Sequence, residues 1–378
     1  MSKQRNIFED VTQDKRPENL PKGGVIDGGK RGSRRGVSIW LAILFVMVAL
    51  MVIVGGLTRL TDSGLSITEW KPVTGAVPPM GAEAWDVEFA KYQKSPEFML
   101  QNKDMTLSEF KSIFWWEWGH RQLGRLVGLV WAVGFLFLLA TKRIPRGWHL
   151  RLVGVGVLGG LQGAVGWWMV SSGLTGRMVD VASYRLAIHL GLAFIILGVL
   201  AGFIWQMRRS DIDLMQARRS REAGLVNFAT LVTVLVFAQI LLGALVAGID
   251  AGRSYPEWPL MNGEFFPSES FDLEPMWSNF FENAALVQFN HRMLGYLVFL
   301  MAGAALWFSR PSPVKSTRKA FGMLMALVLL QVVLGIVTVL FSAQWHIAIT
   351  HQIVAILVFT SALRCRFLAS FPLTQSLR

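Results

Sequence analysis

Eight long apolar runs, separated by polar and charged segments, dominate the pattern of this chain. Each run has about 20 residues, which is the length that an α-helix needs to cross the roughly 30 Å hydrocarbon core of a bilayer. The pattern therefore predicts eight membrane-spanning helices. Their predicted bounds are residues 37–57, 120–140, 152–172, 186–206, 225–249, 289–308, 320–341 and 347–368.

The composition agrees with a membrane protein, and the placement of charge predicts its orientation. Hydrophobic residues make up 53% of the chain and charged residues 16%, which is unusual for a soluble enzyme. Most Lys and Arg residues lie in the N-terminal tail, three short loops and the C-terminus, which share one side if every helix spans once. Positively charged loops stay in the cytoplasm, so both termini are predicted to be cytoplasmic. The net charge of +12 is thus a topology signal and does not indicate a nucleic-acid partner.

Three blocks of sequence recur in the same order in the two halves of the chain. The pairs are RLTDSGLSITEWKP at 59 with GIDAGRSYPEWP at 248, GHRQLGRLVGL at 119 with NHRMLGYLVFL at 290, and LQGAVGWWMV at 161 with LQVVLGIVTVL at 330. Such self-similarity indicates a tandem duplication of a four-helix unit. Because each unit spans the membrane an even number of times, both copies enter it in the same direction.

The predicted fold is an all-α integral membrane protein of two tandem four-helix bundles, related by a pseudo-two-fold axis near the membrane normal. A polar N-terminal tail is expected to be disordered because it is rich in Gly and charged residues. The predicted domains are a cytoplasmic tail 1–36, an N-terminal repeat 37–206, a cytoplasmic linker 207–223, a C-terminal repeat 224–368 and a second tail 369–378.

Four histidines fall at matching places in the two repeats. His120 and His291 begin the second and sixth apolar runs, and His189 and His351 lie near the same end of the fourth and eighth. Two imidazoles that face each other across a bundle can supply both axial ligands of a haem iron. A single intramembrane histidine is more often a hydrogen-bonded bundle residue, but two duplicated pairs favour a functional role. Zinc or copper fits less well, because those metals need three or four ligands around one centre.

Glycines and arginines near these histidines fit a porphyrin site. A glycine four residues after a histidine returns to the same helix face and leaves room for a flat ring, and arginines at helix ends can pair with haem propionates. The alternatives are close helix packing for the glycines and anchoring at the membrane interface for the arginines. The predicted contacts are Gly124, Arg121, Arg59 and Arg185 in the N-terminal repeat, and Gly295 and Arg292 in the C-terminal repeat.

One position distinguishes the two repeats chemically. Glu117 stands three residues before His120, whereas Gln288 stands three residues before His291. This spacing places the carboxylate on the same side of the helix as the histidine, where it could transfer protons or stabilise developing positive charge. The alternative is an interfacial ion pair with Arg121 or Arg125. The difference predicts that chemistry takes place in the N-terminal repeat.

The stretch GGLTRLTDSGLSITEWKPVTGAVPP, the EWGHR motif and the histidine-bearing segments resemble the haem A synthase family over residues 38–368. The resemblance implies conversion of haem O into haem A for terminal oxidases, by oxidation of the C8 methyl group to a hydrated aldehyde that loses water. It also implies that His291 and His351 hold a haem b, that His120 and His189 face the iron of the substrate haem O, and that Glu117 takes part in turnover.

The resemblance further implies a class and a location. Some members carry a cysteine pair in the first extracytoplasmic loop, but the single cysteine of this chain is Cys365, so it resembles the class of mitochondria and related bacteria. The expected location is the bacterial inner membrane, with the haem sites near the periplasmic side. Partners left open are the farnesyltransferase that makes haem O, oxidase assembly factors and a second copy of the chain.

Three other functions remain open from the sequence. A di-haem b-type cytochrome that only transfers electrons would use the same four histidines, and a haem chaperone would bind haem without turnover. A transporter could also have parallel repeats, although polar groups near the middle of the membrane would then be expected. Of the remaining histidines, His149 is predicted to be a surface residue, and His346 is predicted to lie at an interface or to support His351.

Overall fold

The structure, a computed structural model, describes residues 31–174 and 179–373. In these ranges the regular structure is helical and no β-strand is formed, apart from one isolated bridge between Met261 and Glu264. The helices are α1 (Arg31–Leu60), α2 (Ala82–Tyr92), α3 (Pro96–Leu100), α4 (Leu107–Ala140), α5 (His149–Gly173), α6 (Ser183–Met207), α7 (Asp211–Arg219), α8 (Ala223–Gly248), α9 (Ala251–Ser254), α10 (Asn279–Glu282), α11 (Ala284–Ser309), α12 (Lys315–Leu340) and α13 (Trp345–Ser370).

Eight of these helices are long and apolar enough to cross a membrane, as predicted. They are α1, α4, α5, α6, α8, α11, α12 and α13. We call the face that carries residues 61–106 and 249–283 the loop side, and the face that carries residues 141–148 and 310–314 the basic side. The predicted tail falls mostly on residues 1–30, which lie outside the described residues, and α1 already begins at Arg31.

The helix that carries the second apolar run begins well before His120. Helix α4 begins at Leu107, so it extends beyond the apolar run by nearly four turns, or roughly 20 Å. A capping box starts it: the Thr106 hydroxyl accepts a hydrogen bond from the backbone N–H of Glu109, and the Glu109 carboxylate accepts one from the backbone N–H of Thr106. The hydrophobic pattern missed this segment because its apolar face is covered by protein and not by lipid.

The extension of α4 packs on the helices of the first loop. Phe110 and Phe114 of α4 are buried against Trp85 and Tyr92 of α2. The Tyr92 and Phe110 rings stack with their centroids 5.2 Å apart, and Trp85 meets Phe114 edge to face at 5.0 Å. The first loop is therefore a small packed unit on the loop side, with its own aromatic core.

The spanning helices form two rings of four. In the first ring, α1 packs on α4, α4 on α5, α5 on α6 and α6 on α1; in the second ring, α8, α11, α12 and α13 follow each other in the same way. The rings meet where α6 packs on α8 and α1 packs on α13. The most apolar windows of α6 and α13 are each 50% buried, whereas those of α4 and α5 are 6% buried. The last helix of each ring is thus central, and α4 and α5 are peripheral.

A polar contact crosses the junction of the two rings inside the apolar region. The Gln352 amide of α13 donates a hydrogen bond of 2.7 Å to the backbone carbonyl of Val52 in α1. Gly56 makes room for it, since a Cβ there would lie only 2.3 Å from the Gln352 amide oxygen. On the basic side, the Arg34 guanidinium donates to the Asp211 carboxylate at 2.9 Å and joins α1 to α7, within the predicted linker. The Gln352 contact thus joins the two rings, and the Arg34 contact joins the first ring to the linker.

Candidate functional site

Each of the four histidines lies against a glycine of the neighbouring helix. Three of the histidines come about two turns after the start of a helix, namely His189 in α6, His291 in α11 and His351 in α13. His120 lies within α4. In the first ring, a Cβ at Gly55 would lie 2.9 Å from Cε1 of His120, and one at Gly166 would lie 2.8 Å from Cε1 of His189. In the second ring, a Cβ at Gly243 would lie 3.0 Å from Cε1 of His291, and one at Gly335 would lie 3.1 Å from Cε1 of His351. Only glycine lets each imidazole approach the next helix this closely.

The structure brings the histidines together in the predicted pairs. His120 and His189 of the first ring are close enough for their charges to interact, and so are His291 and His351 of the second ring. All four side chains are partly accessible although they lie within the bundles. Among the described residues no group of three or more His, Cys, Asp or Glu could hold a metal ion directly. Each pair therefore offers two nitrogen donors, which fits axial ligation of a haem.

Glutamines hold three of the four histidines. The Gln162 amide donates to the His189 carbonyl at 3.0 Å, and the Gln239 amide donates to the His291 carbonyl at 2.9 Å. Gln331 does the same for His351 at 3.1 Å. Each amide nitrogen also lies 3.1 to 3.2 Å from a ring nitrogen of that histidine. The alignment of the two repeats matched Gln162 with Gln331 but predicted no role for them. It did not identify Gln239.

Glu117 is a buried structural anchor. One carboxylate oxygen accepts hydrogen bonds from the Ser66 hydroxyl and from the Ile67 backbone N–H, both at 2.7 Å. The other accepts from Nε and Nη2 of Arg121, at 3.0 and 2.6 Å. These donors fit an ionised carboxylate on both oxygens. Glu117 therefore forms the ion pair with Arg121 that the sequence offered as the alternative to a chemical role. It joins the first loop to α4 one turn before His120.

Two arginines of α4 complete the attachment of the first loop. Arg121 donates to the backbone carbonyls of Ile67 and Glu69, at 2.8 and 3.0 Å. Arg125 donates to those of Lys71 and Pro72, both at 2.9 Å. The guanidinium groups thus satisfy four carbonyls of the first loop, three of them in the EWKP segment. Their position at the edge of the apolar run explains why α4 carries charge there.

The second ring repeats this attachment without the acid. The Gln288 amide donates to the Ala251 carbonyl at 2.6 Å, and its oxygen accepts from Arg292 at 2.5 Å. Arg292 also donates to the backbone carbonyls of Tyr255 and Leu260, at 3.0 and 3.1 Å. In both rings, therefore, the residue three positions before the histidine and the arginine after it hold a loop on the loop side.

A cluster of carboxylates surrounds Arg59 where the two rings meet. Its guanidinium donates to Asp62 at 2.8 Å and to Asp250 of the second repeat at 2.9 Å, and it lies 3.5 Å from Asp180. Burial raises the pKa of Asp180, and the positive charge of Arg59 opposes that rise. Arg185 lies elsewhere, with its guanidinium donating to the Trp168 carbonyl at 2.7 Å. The predicted propionate contacts of both arginines stay predictions.

The predicted porphyrin-facing glycines lie opposite residues of α1 and α8. A Cβ at Gly124 would lie 3.6 Å from Cε of Met51, and one at Gly295 would lie 3.3 Å from the amide nitrogen of Gln239. His346 lines a cleft of about 440 Å³ between the repeats, together with Leu60 and Arg253. This agrees with an interfacial position. The remaining histidine, at the start of α5, is exposed on the basic side, as predicted.

Comparison with known proteins assigns this chain to a family. A family model described as cytochrome oxidase assembly protein, COX15-CtaA, matches residues 38–363. The chain belongs to the COX15-CtaA family. The match includes all four histidines, both rings and both long loops, and it confirms the family resemblance expected from the sequence motifs.

Bacterial members of the COX15-CtaA family are similar to this chain over its full length. A protein named Heme A synthase from Dinoroseobacter shibae is 57% identical over 100% of this chain and 99% of its own. Proteins with the same name from Ruegeria pomeroyi and Paracoccus denitrificans are 56% and 55% identical, with 98% or more of each sequence covered.

Proposed function

We propose that this chain is a haem A synthase, a membrane oxidoreductase that oxidises the C8 methyl group of haem O to the formyl group of haem A for terminal oxidase assembly. The observation that carries the proposal is the presence of two histidine pairs, one in each ring, in a chain more than half identical to full-length relatives of that name. One pair suffices for a cofactor, and the second is available for a haem that enters as substrate.

The second ring is the better candidate for a resident haem b. The backbone carbonyls of both its histidines accept a hydrogen bond from a glutamine amide, whereas in the first ring only His189 has such a contact. The residue one turn before His291 is the neutral Gln288. Gly243 and Gly335 let the Cε1 edges of the two imidazoles approach the neighbouring helices closely. We assign His291 and His351 to the iron of haem b, with Gly295 facing the same space, and a haem bound there would supply a one-electron carrier.

The first ring is the better candidate for the substrate. Helices α4 and α5 make few close contacts with each other, whereas their counterparts α11 and α12 pack closely. A ring that is open toward lipid suits a hydrophobic substrate that must enter and leave. We assign His120 and His189 to the iron of haem O, with Gly124 leaving space for the porphyrin.

Glu117 positions the first loop over this site and keeps a negative charge there. Its carboxylate is fully occupied by hydrogen bonds from Ser66, Ile67 and Arg121, so we assign it positioning and electrostatic stabilisation and not proton abstraction. The attached loop also limits the access of water to the loop side of the ring.

The same features support a multi-pass protein of the bacterial inner membrane. We propose that the basic side faces the cytoplasm, since positively charged loops are retained there. The loop side, and with it both histidine pairs, would then face the periplasm. The two repeats would be related by a pseudo-two-fold axis near the membrane normal, with domain limits close to 37–206 and 224–368.

Turnover of haem O tests the proposed function directly. The purified protein is incubated with haem O and a competent electron acceptor, and the extracted haems are separated and identified by mass. We expect the hydroxymethyl intermediate and the formyl product to accumulate with time. Haem O that is bound but recovered unchanged would instead indicate a di-haem cytochrome or a haem chaperone.

A further inference from the structure

Met51 and Gln239 occupy the same place in the two rings. Each stands four residues before the glycine that contacts a histidine, Gly55 in α1 and Gly243 in α8. The aligned motifs at 59 and 248 give the same register for these helices. Met51 lies opposite Gly124 and Gln239 opposite Gly295, so the two side chains also meet equivalent positions in space.

The two side chains make different contacts with their histidines. The Gln239 amide donates to the His291 carbonyl at 2.9 Å and lies 3.1 Å from its Nδ1. A methionine thioether cannot donate a hydrogen bond, and it is a flexible side chain. In the described part of the chain, Nδ1 of His120 is buried without a hydrogen-bond partner. Met51 therefore leaves the His120 imidazole without the support that His291 receives.

His120 is the exception among the four histidines. His189 and His351 are supported by Gln162 and Gln331 in the same manner as His291. Nδ1 of His351 also has no partner, but its Nε2 lies 3.2 Å from the Gln331 amide and its carbonyl accepts from the same group. Among the four histidines of the described chain, His120 is thus the one whose backbone carbonyl receives no hydrogen bond from a glutamine amide.

We propose that the residue at 51 in α1 and at 239 in α8 determines whether a haem can exchange. Gln239 joins the His291 segment of α11 to α8 by a hydrogen bond, so the haem of the second ring is retained. Met51 forms no such bond between α1 and the His120 segment of α4, so the haem of the first ring binds and is released after reaction. Both are positioning residues that act through the neighbouring histidine. The inference rests on the proposed function for the identity of the two haems.

Exchange of the two residues tests the inference by haem retention. Purified variants Met51→Gln and Gln239→Met are loaded with haem O and challenged with excess apomyoglobin, which takes up released haem, and the haem that remains is identified by chromatography. We expect Met51→Gln to slow release of haem O by about tenfold, the effect of one net hydrogen bond. We expect Gln239→Met to accelerate loss of haem b by a similar factor and to lower its low-spin fraction in electron paramagnetic resonance spectra.

Met51→Leu is the matched control, since it fills the same space without an amide. It should release haem O at the wild-type rate. The inference is overturned if Met51→Gln releases haem O as fast as the wild-type protein, if Met51→Leu slows release as much as Met51→Gln, or if Gln239→Met retains haem b with an unchanged spectrum. Failure of all variants to form haem A would contradict the proposed function alone, because the haem b measurement on Gln239→Met does not depend on turnover.

Discussion

At the scale of single residues, the two rings use one arrangement for two purposes. In both rings, a loop is held by a side chain one turn before a histidine and by an arginine just after it. Of the two side chains before the histidines, Glu117 carries a negative charge and Gln288 is neutral. The sequence singled out the histidines, the arginines and the difference between Glu117 and Gln288, and the haem-binding roles assigned to them stay predictions. It could not predict the partners of Glu117, because Ser66 and Ile67 are distant in sequence and reach the carboxylate only through the folded loop.

The first prediction concerns Glu117→Gln. The new amide would place a donor against the Ile67 N–H or the Ser66 hydroxyl, leaving a buried donor unpaired at a cost of about 1–3 kcal/mol. We expect faster proteolysis of residues 61–106 and a loss of haem O turnover of about five- to 150-fold at that cost, with haem b retained. Glu83→Gln, at the exposed start of α2 in the same loop, is the control. Full turnover and wild-type proteolysis of Glu117→Gln would contradict the assigned role.

The second prediction concerns Glu97, a buried acid of the first loop. Burial raises its pKa to about 8, and the charges of Asp180, Glu117 and Asp62 act in the same direction, against a hydrogen bond from Tyr92. In the unfolded loop the pKa would be about 4.3. The folded loop therefore binds the proton more tightly, so its stability is highest below about pH 4.3 and falls as the pH rises through 8.

Hydrogen exchange of residues 82–100 between pH 6 and 9 measures this effect. After correction for the intrinsic exchange rate, protection should decrease with pH in the wild-type protein and stay constant in Glu97→Gln. Glu83→Gln, at the exposed start of α2, is the control and should keep the wild-type dependence. Equal pH profiles for the wild-type protein and Glu97→Gln would exclude Glu97 as the titrating group.

At the scale of elements, the hydrophobic pattern predicted the eight spanning helices but not how they contact each other. The extension of α4 to Leu107 was readable in principle from the capping box of Thr106 and Glu109. The contacts between histidines and glycines were not, because the chain contains 36 glycines and the sequence does not show which helices are neighbours. Helix packing therefore decides which glycines matter for the site.

The third prediction concerns Gly243 in α8. A Cβ added there would lie 3.0 Å from Cε1 of His291, so Gly243→Ala should displace the imidazole. Overpacking of this kind costs about 1–3 kcal/mol, which corresponds to about tenfold weaker haem b retention. Alanine favours helix, so the fold should persist.

Gly303→Ala in α11 is the matched control, because a Cβ there meets nothing within 4 Å. Haem b per protein, measured after purification and apomyoglobin challenge, should fall in Gly243→Ala and stay at the wild-type level in Gly303→Ala. Equal haem b in the two variants would show that close packing of His291 does not support ligation.

At the scale of the whole molecule, each ring contains one histidine pair and one attached loop, and the rings differ in openness and in histidine support. The sequence predicted the duplication, and the observed pairs agree with it. It did not predict that α6 and α13 lie at the centre or that Arg59 joins carboxylates of both repeats. These features arise from the contact between the rings, and the repeated motifs do not indicate how the two rings contact each other. The division of labour between the rings is the central claim.

Pyridine-haemochrome analysis of two double variants tests that claim most directly. His291→Ala with His351→Ala removes the donors of the second ring, and His120→Ala with His189→Ala removes those of the first. After incubation with haem O, the wild-type protein should contain haem b and formyl haem. The second-ring variant should lack haem b, and the first-ring variant should keep haem b and form no formyl haem. Loss of haem b from the first-ring variant, together with its retention in the second-ring variant, would contradict the account.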